Sequence, residues 1–203
     1  MGTMKILGIT GGVGAGKSTV LQYMNEKYQV RVIELDKAAH LLMEPGQSCY
    51  APLTETFGMG ILNAEGRIDR QRLYAETFAK QSGIETLNRI VHPRVKAYVR
   101  QEIAKEEKSG RPFLVLEAAL LLEDHYDKIC DEIWYVFVHE EARRCRLVAS
   151  RGYSEEKIAQ ILKNQKTDEQ FRASCQFVID NSSNIMENTY EQIDKGLKEH
   201  GFV

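Results

Sequence analysis

Short, continuous apolar runs alternate along the chain with longer stretches in which apolar residues recur every three or four positions. The runs are Met4–Thr10, Val30–Asp36, Phe113–Glu117, Ile133–Val138 and Phe177–Asn181. Each is shorter than a typical helix and rich in branched or aromatic side chains, as strands buried on both faces of a parallel sheet are. Helical spacing fills the intervals. The pattern therefore predicts an α/β fold, a five-stranded parallel sheet flanked by helices.

The intervals differ. Between the second and third runs, Leu87, Ile90, Val91, Val95, Tyr98, Val99 and Ile103 recur at helical spacing, no strand-like run occurs, and Pro93 predicts a helix start in its first turn. A parallel crossover needs only about a dozen residues. Residues 37–110 thus read as a helical insertion in a single domain whose core is about 1–36 and 111–203: a substrate-binding lobe, or plain structural elaboration. Between the fourth and fifth runs, about residues 141–172, lies a basic helical region with Arg143, Arg144, Arg146, Arg151, Lys157, Lys163, Lys166 and Arg172. Gly152-Tyr153 breaks it and Ser154 is the candidate cap of the next helix. Such a pair can fold over a bound nucleotide as a lid, or be a solvated amphipathic pair, since five glutamates offset its charge. From Asn184 to Val203 the spacing predicts a terminal helix with Ile185, Tyr190, Ile193 and Leu197 facing inward.

One loop carries a chemical signature. Gly11-Gly12-Val13-Gly14-Ala15-Gly16-Lys17-Ser18-Thr19 fits G-x-x-x-x-G-K-[ST], directly after a strand and opening a helix. A loop that wraps phosphates must turn its backbone N–H groups inward, which needs conformations only glycine adopts cheaply. The helix behind it aims its free N–H groups and positive dipole end at the same anion. Gly12, Val13, Gly14, Ala15, Gly16, Lys17, Ser18 and Thr19 are the expected ATP-holding residues. Lys17 supplies a mobile charge for the β- and γ-phosphates, and the Ser18 hydroxyl suits Mg2+. Two acids end strands. Glu117 is placed for the metal's water shell, and Asp36 is either a helix cap or a group near the phosphates, because ligands of open α/β sheets sit beyond the carboxyl ends of the strands.

Composition narrows the partners. The net charge of −2, with both signs interspersed, argues against nucleic acid as the principal partner. No apolar run approaches a membrane span and no signal peptide is visible, so a cytoplasmic protein is expected. Cys49, Cys130, Cys145 and Cys175 lack C-x-x-C spacing, which suggests neither a zinc site nor a disulfide framework.

Assembled in order, these residues resemble the dephospho-CoA kinase family over nearly the whole chain. Gly8 to Thr19 is similar to that family's G-L-T-G-G-I-G-S-G-K-S-T, and Ile33-Glu34-Leu35-Asp36 to its I-D-A-D, with Glu34 for the first acid. Glu44-Pro45-Gly46, Phe57-Gly58, Gly66-Arg67-Ile68-Asp69-Arg70, Leu87-Asn88, His92-Pro93, Gln165 and Val178-Ile179-Asp180-Asn181-Ser182 follow in order. Two stretches depart. D-I-P-L-L-F-E becomes Glu117-Ala118-Ala119-Leu120-Leu121-Leu122-Glu123, and R-L-M-x-R-D-G becomes Arg146-Leu147-Val148-Ala149-Ser150-Arg151-Gly152.

The resemblance implies ATP-dependent phosphorylation of the ribose 3′-hydroxyl of dephospho-CoA, giving CoA and ADP. It implies Asp36 as the group that orients the acceptor hydroxyl and takes its proton, and Lys17 and Arg146 (Arg151 next) as the cations that neutralise the transferring phosphoryl. Arg70 and His92 fall in the substrate lobe, where an arginine suits a pyrophosphate; His92 equally fits a structural role at the His-Pro step. A monomer is expected. A P-loop kinase for another acceptor, such as a nucleoside monophosphate, is the alternative. A guanine-nucleotide switch would show N-K-x-D, which the chain lacks.

Overall fold

The computed structural model describes residues 4–79, 81–183 and 185–203. In chain order the elements are β1 (Lys5–Thr10), α1 (Lys17–Tyr28), β2 (Arg31–Glu34), α2 (Leu35–Leu42), α3 (Tyr50–Phe57), α4 (Arg70–Ala79) and α5 (Gly83–Glu106). Then come β3 (Phe113–Glu117), β4 (Glu132–Phe137), α6 (Glu140–Arg151), α7 (Glu155–Lys163), α8 (Asp168–Ser174), β5 (Phe177–Asp180) and α9 (Met186–Glu199). They fall into two compact units: the chain up to Val32 together with Glu106–Val203, and Ile33–Lys105.

The first unit is built on the expected all-parallel sheet, of order β2-β3-β1-β4-β5. β1 lies between β3 and β4, with Ile9 opposite Glu117 on one side and Trp134 on the other. Connections leave β1 first toward β3 and β2, later toward β4 and β5. The carboxyl end of β1 is therefore the topological switch point, where ligands of such sheets bind. Leu7, Ile9, Phe113, Val115, Trp134, Val136 and Ile179 fill the sheet's buried faces, joined by Val20 and Met24 of α1, Ile193 and Leu197 of α9, and Phe202. Gly196 lets α9 close onto the sheet, since a Cβ there would come within 2.8 Å of Phe177 and 2.9 Å of Trp134.

The Ile33–Lys105 unit is helical and buries Leu35, Ala38, Leu42, Leu53, Phe57, Ile61, Leu73, Val91, Val95 and Val99. Three expectations need correction. The second strand stops at Glu34, because buried Leu35 already opens α2, so Asp36 lies inside the first helical turn instead of ending a strand. Pro93 lies within α5 and does not start it. The stripe of Val91, Val95 and Val99 stays buried across the proline, so packing offsets the hydrogen bond it cannot donate. Ile185 is 58% exposed as the cap residue of α9, one position before the helix begins, while Ile193 and Leu197 are fully buried. Asn184 lies outside the described residues.

Candidate active site

The glycine-rich loop joins β1 to α1 at the switch point. Gly14 and Gly16 take left-handed φ values of 87° and 85°, which a side chain would strain. The loop is pinned internally by Ala15 N–H donating to the Gly12 carbonyl at 3.1 Å. α1 starts at Lys17, so its unpaired first-turn N–H groups face the loop. Lys17 Nζ donates to the Gly11 carbonyl at 2.9 Å and pairs with Glu117 Oε1 at 3.3 Å, both side chains nearly buried. The structure thus brings together the loop lysine and the acid that ends β3. The Ser18 side chain, in the first turn of α1, belongs to an exposed residue.

Side chains from later in the chain hold the loop from outside. Asn181 Nδ2–H donates to the Ala15 carbonyl at 2.8 Å, and its own carbonyl accepts from buried Thr189 at 3.0 Å. A Cβ on Gly16 would overlap Asn181. On α6, Leu147 packs over Gly14, and Arg143 Nε–H donates to the Val13 carbonyl at 2.6 Å while its Nη2 meets the Gln165 side-chain oxygen. A trans peptide points its carbonyl and N–H in opposite directions. Anchoring the Val13 and Ala15 carbonyls from one side therefore aims the Gly14 and Gly16 N–H groups to the other. Desolvation holds the Arg143 guanidinium below its ordinary pKa, with Tyr135 and Glu140 opposing.

Of the expected lid arginines, Arg146 lies nearer the Gly16 end of the loop, its Nη2 3.5 Å from the Ser183 carbonyl. Arg151 lies against Tyr153, and the Ser150 hydroxyl donates to the Arg146 carbonyl at 2.6 Å. Sequence reasoning missed Arg143 and Asn181 as loop-holding groups. The signal was there for Arg143, because Arg143, Arg146 and Leu147 share one face of a helix at i, i+3 and i+4.

In the Ile33–Lys105 unit, Asp36 is exposed in the first turn of α2, with His40 one turn on. Arg70 opens α4, and its Nη1 lies 3.0 Å from His40 Nε2. The two line a cavity of about 170 Å³ with Met43, Glu44 and Ile68. Burial lowers the His40 pKa below 6.5, Arg70 lowers it further and Asp36 opposes. His40 is a third residue that sequence reasoning overlooked. His92 is partly buried within α5, immediately before Pro93.

Comparison with known proteins agrees with this geometry. The family model for dephospho-CoA kinase matches residues 5–187. A dephospho-CoA kinase of Carboxydothermus hydrogenoformans is 37% identical over 191 residues, 94% of this chain and 91% of that one. Among solved structures, TT1252 from Thermus thermophilus superposes with a TM-score of 0.84 at 26% identity, covering 98% of each chain. Dephospho-CoA kinase from Campylobacter jejuni, at 19% identity and a TM-score of 0.62 with 98% of each chain covered, shares the fold. With the phosphate loop, its lysine–glutamate pair and the parallel sheet in place, the chain belongs to the dephospho-CoA kinase family, whose members phosphorylate dephospho-CoA to CoA.

Proposed function

We propose that this chain transfers the γ-phosphoryl group of ATP to the ribose 3′-hydroxyl of dephospho-CoA, releasing CoA and ADP. The observation that carries the reading is the Lys17 ammonium, held between the Gly11 carbonyl and Glu117 at the mouth of a phosphate loop in a chain of this family. Phosphoryl transfer asks mainly for positioning and charge neutralisation, and this site is equipped for both. Backbone N–H groups from Gly12 to Thr19 hold the phosphates, Lys17 turns from its resting partners to the β- and γ-phosphates, and Arg146 brings lid charge to them.

The Ser18 hydroxyl and Glu117 carboxylate are hard oxygen donors that suit Mg2+. When bound, the ion neutralises phosphate charge.

Asp36 takes the role of orienting the acceptor hydroxyl and accepting its proton; its exposure in the first turn of α2 leaves it open to solvent and ligand. Arg70 and His92 bind dephospho-CoA, Arg70 as the bidentate partner of its pyrophosphate, beside a cavity roomy enough for such a group. In this reading residues of about 37–110 are the substrate lobe and about 141–172 the lid of one kinase domain. The enzyme is a cytoplasmic monomer without a nucleic-acid partner. Four free cysteines suit a reducing compartment, and no described helix is long and apolar enough to cross a membrane.

The test is ADP release by purified protein with Mg-ATP and, as acceptor, dephospho-CoA beside AMP, CMP and adenosine. Turnover with dephospho-CoA alone is expected. Turnover with a nucleotide alone would discard the acceptor assignment.

A further inference from the structure

Three observations converge on Arg143. First, its guanidinium is partly buried and its hydrogen-bond partners, the Val13 carbonyl and the Gln165 side-chain oxygen, are neutral. No carboxylate lies within ion-pair distance of it among the described residues. Glu140, one turn earlier on α6, is engaged at 2.8 Å by Arg144. A desolvated cation without a counter-ion is costly unless an anion arrives to balance it.

Second, Gly12 is a glycine of a different kind from Gly14 and Gly16. It has no left-handed φ, so its backbone does not call for glycine. The three atoms nearest to a Cβ built there are Nη2, Cζ and Nη1 of Arg143, all overlapping or nearly so. The missing side chain at position 12 is the seat of the guanidinium. Third, Ser150 is neutral and turned onto the Arg146 carbonyl, and Arg151 lies on Tyr153, so neither places charge on the loop's Val13–Gly14 peptide. Arg143 does.

We propose that Arg143 is a positioning residue for ATP in this kinase. By gripping the Val13 carbonyl from α6 it aims the Gly14 N–H into the phosphate cradle, and its unbalanced charge polarises that peptide and adds to the attraction for the triphosphate. A charged donor on a carbonyl strengthens the N–H on the other side of the same amide. The role rests on the reading of the loop as the ATP site, and it ties the lid helix to the loop before any nucleotide binds.

The experiment is a double-mutant cycle on Gly12 and Arg143, read by ATP affinity in equilibrium titration and by KM for each substrate. Arg143→Ala should weaken ATP binding about tenfold or more while KM for dephospho-CoA stays within about twofold, and Arg143→Lys should recover part of the loss. Gly12→Ala, which evicts the guanidinium, should cost a similar factor. The double variant should be no worse than either single one, because the added methyl then enters space the arginine has vacated.

Multiplication of the two losses, or an Arg143→Ala protein of unchanged melting temperature and unchanged ATP affinity, overturns the proposal. So does an equal rise in both KM values, the mark of a general lesion. Lys17→Ala separates the two levels: if it too leaves ATP affinity and turnover untouched, the loop is not the ATP site and the underlying reading fails.

Discussion

In the phosphate-loop unit the groups assigned to ATP are chiefly main-chain N–H groups. Side chains such as Asn181 and Arg143 work from behind, holding carbonyls so that the amides face forward. In the Ile33–Lys105 unit the groups assigned to the acceptor are side chains, Asp36, Arg70 and His92, carried on three helices, with Asp36 and Arg70 exposed. The difference has a consequence for substitution. A backbone cradle survives changes of side chain as long as its conformation is kept, and is lost when a glycine or a carbonyl anchor goes. A side-chain site depends on the identity of each group. The first unit should therefore govern ATP, and the second the acceptor.

Asp36→Asn tests the contrast hardest: kcat should fall on the order of a thousandfold while ATP affinity is nearly unchanged. A variant with near wild-type kcat would remove Asp36 from the chemistry. Lys17→Ala should lower turnover on the order of a hundredfold, as loss of one preorganised charge-stabilising group does. An unchanged rate would contradict its place at the phosphates. Gly196→Ala lies far down the scaffold and should leave both KM values alone. It should cost about 2 kcal/mol of stability by forcing α9 away from Trp134 and Phe177, seen as a lower urea midpoint.

Arg70→Ala should raise KM for dephospho-CoA about tenfold with KM for ATP steady; a rise in the ATP value instead would blur the division between the units. The smallest effect is one of pH. His40 faces Arg70, Asp36 and, across the shared cavity, Glu44. Burial and Arg70 hold its pKa below the usual imidazole value, so any change in KM for dephospho-CoA from its protonation should set in at lower pH than for a free imidazole. Further acidification adds a second cation beside Arg70 and should change KM about threefold, a change that His40→Gln abolishes. The unfolded chain takes up this proton first, so the His40 contribution to stability declines as pH drops through about 6.5.

What could be read without coordinates follows the same division. The sheet and loop were legible because buried strands are continuous apolar runs and the cradle needs glycines at fixed spacing. The five strands lie where those runs lie. Legibility was lost where tertiary contacts decide. Pro93 is a helix-start residue by local rules, yet the stripe from Val91 to Val99 keeps α5 going through it. Asp36 ends an apolar run, yet burial of Leu35 has already turned the backbone helical. Arg143 was one cation among eight in a basic stretch. Only the approach of α6 to Gly12 and Val13 distinguishes it from Arg144, which is spent on surface glutamates.

The order of the strands also sets a timetable during protein synthesis. β1 is made first, but its neighbours β3 and β4 come much later: Lys5 pairs with Phe113, 108 positions on. At typical elongation rates the ribosome takes roughly 5 to 20 s to cover that distance. For that interval the apolar central strand has no partner, while Ile33–Lys105, a single uninterrupted segment, emerges whole and is free to fold. Of the five strands, the central one thus waits longest for its first sheet partner.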